Sequence, residues 1–222
     1  MISVAIDGPA GAGKSTISRL VAKKLGFIYV DTGALYRTVA LSLVKNNISA
    51  DDKEKVIAQL DKIKVDLVYV DDEQKVMLDG EDVTSLIRTA EVSMAASVSS
   101  AIPEVRAFLL DLQRQMAEKY NIVMDGRDIA TVVLPNATVK IFLTADVEVR
   151  AKRRYDEMIV KDPTVKFEDV LKDVIKRDEN DSSRAVAPLK PAEDSVILNT
   201  TNYTFDESVE LLYNTVISKI GG

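Results

Sequence analysis

The chain contains neither histidine nor cysteine, and each absence removes a class of chemistry. Without cysteine there is no disulfide framework, no thiolate zinc site and no thiol nucleophile. Without histidine there is no Ser-His-Asp triad, no imidazole metal cage and no imidazole base. A general base must then be a carboxylate, and the remaining catalytic work falls to lysine, arginine and backbone amides. No apolar run approaches the ~20 residues needed to cross a bilayer. Residues 2–6 open the chain as a short strand-like run without a basic leader. No signal peptide and no membrane partner are therefore expected, and a reducing cytoplasm fits. The net charge of −6 argues against a nucleic-acid partner, which calls for a basic surface.

What is present describes a soluble globular protein. Of the 222 residues, 46% are hydrophobic and 29% charged, with both signs interspersed. That suffices for one substantial core, or one core plus a small insert. Ile2, Val4 and Ile6 predict a strand that Gly8 ends. From Ser15 the period becomes helical through Ile17, Leu20, Val21 and Leu25, with Gly26 as the stop. Residues 27–30 predict a second buried strand, and a helix follows from Gly33 to about Lys45. Strands alternating with helices predict a parallel sheet with right-handed crossovers. Between about Ile63 and Val83 the period changes to two. Val65, Leu67 and Tyr69, a turn at Asp71-Asp72, and Val76 with Leu78 predict an antiparallel hairpin inserted in the α/β chain. Beyond it, helices are predicted at 91–99, 104–119, 147–160 and 167–178, and strands at 121–125, 138–143 and 195–199. A last helix starts at the capping box Thr204-x-x-Glu207.

The segment Gly8-Pro9-Ala10-Gly11-Ala12-Gly13-Lys14-Ser15, followed by Thr16, fits G-x-x-x-x-G-K-[ST] between a strand and a helix. Phosphate oxygens must approach main-chain amides closely, which glycine permits, and the helix aims its free N–H groups at the same point. Lys14 is expected to bridge the outer phosphates of a nucleoside triphosphate, most simply ATP. The Ser15 hydroxyl is expected to hold Mg²⁺. No Asn-Lys-x-Asp base-reading motif is present, and Gly126, not a glutamate, follows Asp125. Neither a GTPase nor an ATPase motor is indicated.

Arginines mark the ends of strands and loops. Arg37 follows Asp31-Thr32-Gly33-Ala34-Leu35-Tyr36, Arg127 lies in Asp125-Gly126-Arg127-Asp128, and Arg177 and Arg184 bracket Asp181. The carboxyl ends of strands form the crevice in open α/β sheets, so several of these are expected to converge beside the phosphate loop. Two phosphate groups within reaction distance repel. Each like-charge pair at ~4 Å costs about 4 kcal/mol at an effective dielectric of ~20. Fixed guanidiniums, with their bidentate phosphate contacts, meet that requirement.

The segments 31–37, 125–133 (Asp125-Gly126-Arg127-Asp128-Ile129-Ala130-Thr131-Val132-Val133) and Arg184-Ala185-Val186-Ala187-Pro188-Leu189 resemble the signatures of bacterial cytidylate kinases. With the phosphate loop and the hairpin, the resemblance covers essentially the whole chain. It implies a P-loop kinase fold: a five-stranded parallel sheet flanked by helices, with a small antiparallel β insert. It also implies a core of residues 1–60, 86–150 and 185–222, a monophosphate-binding insert at 61–85, and a lid at 150–184. The implied activity is transfer of the γ-phosphoryl group of ATP to CMP or dCMP, by a monomer. Carried over by position, Thr32, Arg37, Arg127 and Arg184 surround the acceptor's phosphate and sugar. Ser97, Arg106 and Asp128 match base-recognition positions, and Arg177 and Asp181 match pentose and lid positions. Lys14, Arg127, Arg177 and Arg184 form the implied catalytic set. Arg150, Arg153 and Arg154 share a helix face in the lid region, ahead of the polar stretch 161–166, and either await an anion or carboxylate or pair with Glu148, Asp156 and Glu157. Two other readings stand beside this one: a kinase of the same fold acting on UMP, AMP or a non-nucleotide acid, and an ATP-binding switch.

The base assignment is physically specific. Cytosine presents an amine that Asp128 can accept from, and acceptors that Arg106 and Ser97 can donate to. Uracil turns a carbonyl toward the carboxylate and leaves buried groups unpaired. Asp128→Ala is expected to lose more kcat/KM with CMP than with UMP; equal fractional losses in steady-state assays would contradict the assignment.

Overall fold

A computed structural model of the chain describes residues 1–70, 73–160 and 162–221. The turn expected at Asp71-Asp72, and Lys161 of the polar stretch 161–166, lie outside the described residues. In chain order the elements are β1 (Ser3–Asp7), α1 (Lys14–Leu25), β2 (Ile28–Asp31), α2 (Thr32–Lys45), α3 (Lys53–Leu60), β3 (Val65–Val70), β4 (Glu73–Leu78), β5 (Glu81–Asp82), α4 (Ala90–Ser99), α5 (Pro103–Lys119), β6 (Ile122–Gly126), β7 (Val139–Thr144), α6 (Val147–Ile159), α7 (Phe167–Ser182), β8 (Val196–Asn199) and α8 (Phe205–Ile220). They fold as two compact units: Met1–Tyr29 with Tyr120–Gly222, and Val30–Lys119.

The first unit is built on the parallel sheet that the alternating pattern predicts, in the order β2-β6-β1-β7-β8. β1 is central, in register with β6 from Ser3↔Ile122 to Asp7↔Gly126 and with β7 from Val4↔Val139 to Asp7↔Phe142. Its two flanking strands leave no solvent-facing edge, and Val4, Ala5 and Ile6 are wholly buried. The apolar stripes of α1 and α8 (Ile17, Val21, Val209, Leu212, Val216) pack with Val4, Ile6, Val123, Ile141 and Leu143. Each such side chain contributes about 1.5–3 kcal/mol when removed from water. Gly26 ends α1 with a left-handed φ of 68°, its N–H reaching back to the Ala22 and Lys23 carbonyls. Both halves of the Thr204–Glu207 capping box form at α8. The α6–α7 pair has its own small core of Ala151, Val170 and Val174.

The second unit packs α2, α3, α4 and α5 with a three-stranded antiparallel sheet, β3-β4-β5. Leu35, Val39, Leu43, Val56, Val76, Leu78, Ile87, Val105 and Leu109 belong to one core. The period of two is visible in the register. Val65 faces Leu78 and Leu67 faces Val76, while Val68 and Val70 on the other face are exposed. Helix α3 has no counterpart in the sequence expectations. Its start is set by Asp52, which accepts from the Lys55 amide, a polar cap without an apolar stripe long enough to announce the helix.

Because β1 sits mid-sheet, the loop that leaves it emerges beside β7. A Cβ on Gly8 (φ 150°) would stand 2.0 Å from the Leu143 carbonyl oxygen, a strand backbone atom that has nowhere to go. Gly8→Ala is expected to lower stability by roughly 3 kcal/mol and to abolish triphosphate binding. A urea midpoint equal to that of the parent would contradict this contact.

Candidate active site

The phosphate loop joins β1 to α1. Gly13 caps the helix in the left-handed region at φ 81°, so the first turn of α1 directs its unpaired N–H groups back into the loop. Lys14, the first residue of α1, is buried, and its Nζ donates to the Pro9 carbonyl at 2.8 Å. Burial and the nearby Arg127 charge lower its pKa to about 7, against the opposing pull of Asp125, Asp181 and Asp7. The ammonium lies at hand for phosphate oxygens and is held in surroundings that disfavour its charge until an anion arrives.

Ser15 donates to Asp125 Oδ2 at 2.9 Å, and the Tyr29 hydroxyl donates to Asp125 Oδ1 at 2.6 Å. Asp125 is buried near the end of β6. A hydroxyl beside a carboxylate is a hard-oxygen pair of the kind Mg²⁺ accepts, with phosphates and waters completing the coordination. Among the described residues there is no group of three or more acidic, histidine or cysteine side chains that could hold a metal. The motif reading reached Ser15 but not the roles of Asp125 and Tyr29. An aspartate ending an apolar strand was the available signal for the first.

The catalytic set expected from the sequence gathers in the first unit around Asp181. Arg127 Nε donates to Asp181 Oδ2 at 2.6 Å, Arg184 Nη2 pairs with the other oxygen, and Arg177 acts on the same carboxylate electrostatically. Lys14 feels both Arg127 and Asp181. Burial favours protonation of Asp181, but Arg127 and Arg184 overcome it and hold the carboxyl below its usual range. Burial likewise opposes the Arg127 charge, and Asp181 more than compensates, raising its pKa. Both partners are therefore charged at neutral pH.

Asp128 is buried immediately before the short π turn Ile129–Val133. That turn hangs on a residue the sequence reading missed. Asp7 accepts from the Ile129 amide at 2.7 Å and the Ala130 amide at 2.8 Å. Burial, with Asp128 adding to it, raises its pKa to about 6, although both amides and Lys14 favour the carboxylate.

The other expected residues lie in the second unit. Asp31 caps α2 by accepting from the Ala34 amide, pairs with Arg37 at 3.0 Å, and has Arg88 at 3.7 Å. Thr32 is buried in the first turn of α2. Arg106 is buried, donates to the Ser100 carbonyl at 3.2 Å and lies over the Tyr36 ring at 5.5 Å. Arg37 Nε and Ser97 Oγ are buried polar atoms with no protein hydrogen bond.

On the arginine face of α6, Arg150 meets an arriving carboxylate, that of Asp178 on α7, and not an acid of its own helix. Arg150 is buried and turns inward, donating to the Ala10 carbonyl at 2.8 Å and pairing with Asp178 at 2.7 Å. Asp178 in turn accepts from the Ala10 amide at 3.3 Å. Arg153 donates to the Thr200 carbonyl, and Asp156 pairs with Lys152. The i,i+3 and i,i+4 spacing places the arginines on one face but does not name Arg150's partners, which come from the phosphate loop and α7.

The chain matches the family model described as cytidylate kinase over residues 4–218. It is similar to the cytidylate kinase of Carboxydothermus hydrogenoformans, 49% identical over 209 residues that make up 94% of each chain. It is equally similar to that of Caldicellulosiruptor bescii, 49% identical over 223 aligned positions covering 99% of each. Among solved structures, an uncharacterized protein from Eubacterium ventriosum aligns at TM-score 0.50 and 12% identity, covering 100% of this chain and 99% of that one. A likeness at that identity speaks for the fold alone.

The depressed pKa of Lys14 has a measurable consequence. Burial and Arg127 favour the neutral amine in the free protein at pH 8, and a bound triphosphate is expected to restore the charge. Triphosphate binding is therefore expected to take up close to one proton, read by calorimetry in buffers of different ionisation enthalpy. Uptake near zero, or uptake that persists in Lys14→Met, would contradict this account.

Proposed function

The chain belongs to the cytidylate kinase family, and on that premise we propose that it transfers the γ-phosphoryl group of ATP to CMP or dCMP, giving ADP and CDP or dCDP. The observation that carries the chemistry is the gathering of Lys14, Arg127, Arg177 and Arg184 about one carboxylate at the phosphate loop. No base is needed. The acceptor phosphate is already ionised at neutral pH and is itself the nucleophile, so catalysis reduces to in-line positioning and charge neutralisation.

In this reading Gly8 to Thr16 bind ATP, with Lys14 on the outer phosphates. Mg²⁺, held by Ser15 and Asp125 with the phosphate oxygens, would neutralise charge on the transferring group. Arg127 and Arg184 serve the acceptor phosphate, and Arg177 and Asp181 serve the pentose and the approach of the lid, residues 150–184. As phosphates enter, they share with Asp181 the task of balancing the guanidiniums. Thr32 and Arg37 belong to the acceptor's sugar and phosphate, and Ser97, Arg106 and Asp128 to the cytosine edge. The unpartnered Arg37 Nε and Ser97 Oγ support ligand roles, since buried polar atoms ordinarily find a partner. Residues 61–85 complete the monophosphate-binding region, and the protein works as a monomer.

The test is ADP release from ATP alone and with CMP, dCMP, UMP, AMP or shikimate added separately. Turnover is expected to depend on CMP or dCMP and to fall about a thousandfold in Lys14→Met, whose melting temperature stays near that of the parent. ADP release indifferent to the acceptor, or greatest with AMP or shikimate, would overturn the reading.

A further inference from the structure

We propose that Asp7 is a positioning residue for the transfer, fixing the Arg127-Asp128 segment from both of its ends. The proposal rests on the phosphotransferase reading above and concerns a residue which that reading leaves without a role. Asp7 is the last residue of β1, locked between β6 and β7 and 1% exposed. Its backbone pairs with Gly126, the residue just before Arg127. Its side chain holds the amides of Ile129 and Ala130, the two residues just after Asp128. Arg127 and Asp128 thus leave from and return to a single aspartate.

The turn requires such a partner. Within it, the amides of Val132 and Val133 reach the Asp128 carbonyl, and that of Leu134 reaches the Ile129 carbonyl. The first two N–H groups, those of Ile129 and Ala130, cannot be satisfied by the turn itself. Two adjacent donors aimed the same way match the two oxygens of one carboxylate. A neutral amide offers one acceptor and sets its own N–H₂ against the second donor. Gly8, the next residue, is confined by the Leu143 carbonyl, so Asp7 cannot drift without moving the phosphate loop. One side chain therefore sets the distance between the loop that holds the donor and the arginine that meets the acceptor.

Facing Asp7 are Asp128, which disfavours its charge, and Lys14 on α1, which favours it. Beyond Lys14 stand Arg127, Asp125 and Asp181. Protonation near pH 6 would turn one acceptor into a donor and release one of the two amides.

Two measurements test this. In the unaltered protein, the amide proton shifts of Ile129 and Ala130, followed by ¹H–¹⁵N correlation, are expected to titrate together with a midpoint near pH 6. Ile129 and Ala130 amides that titrate with different midpoints, or that exchange with solvent at pH 8 as fast as exposed amides, overturn the proposal, and this holds whether or not the protein phosphorylates CMP. In Asp7→Asn, kcat with CMP is expected to fall about 10- to 100-fold, while KM for ATP changes less than about twofold and the melting temperature at pH 8 is retained. The acid limb of the kcat–pH profile should disappear with it. Parent kcat in Asp7→Asn, or a loss confined to KM for ATP, would overturn the positioning role. If Asp7→Asn does not fold, the two amides of the unaltered protein decide, by their common midpoint and their protection from exchange.

Discussion

Asp181 is the counter-charge on which the catalytic unit depends. Lys14, Arg127, Arg177 and Arg184 all act on or near it, and like charges at such range repel by several kcal/mol per pair in a partly buried setting. One carboxylate, with its two oxygens given to Arg127 and Arg184, holds the guanidiniums in place before any substrate arrives. It cannot neutralise them. Asp125, Asp178 and Asp7 supply further negative charge beside it, so the cations are held by fixed carboxylates until phosphates arrive, and the side-chain entropy of ordering the arginines is spent on folding rather than on binding.

The phosphate loop is shaped by steric walls as much as by its own preferences. Gly8 is glycine because the Leu143 carbonyl occupies the space of a side chain. Gly11 is glycine because the Arg150 carbonyl would stand 2.9 Å from a Cβ. Between them Ala10 is held at both backbone groups, its amide by Asp178 and its carbonyl by Arg150. The α6–α7 pair and the sheet therefore grip the loop from two directions. Movement of that helix pair would be felt at the loop, which gives the lid reading of residues 150–184 a mechanical route to the phosphates.

Local patterns carried a large part of this into the sequence. The shift from period two to period 3.6 at Ser15, the capping box at Thr204 and the alternation through Val65 and Leu67 each encode an element within a few residues. The glycine spacing of the phosphate loop, completed by Lys14 and Ser15 between a strand and a helix, points to its ligand. What was hidden depends on distance along the chain. Asp7 and its amides are separated by more than a hundred residues, as are Ala10 and Asp178. Nothing in the composition around Asp7 distinguishes a carboxylate that holds a turn from one that faces water. Arg127 announced itself by its position after a strand, and Arg177 and Arg184 by bracketing Asp181, but that all three share this carboxylate required the fold of α7 to be known.

Asp7 and Lys14 show what this arrangement does to stability. Asp7's folded pKa lies above its ordinary value, so its contribution is present below about pH 4 and lost as the pH rises through about 6. Keeping it ionised at neutral pH costs about 3 kcal/mol. Lys14 is shifted the other way, and its penalty is present below about pH 7 and relieved as the pH rises toward the ordinary lysine range. Near neutrality the site bears both penalties at once, and each residue is the other's partial remedy, since each favours the other's charge. Removing either charge relieves one penalty and forfeits a partial remedy of the other, so the net change in stability is small. That mutual dependence explains why a fold with an ample apolar core still carries two opposed charges beside the carboxyl end of its central strand. They are retained for what they hold in place, the phosphate loop on one side and the Arg127-Asp128 segment on the other.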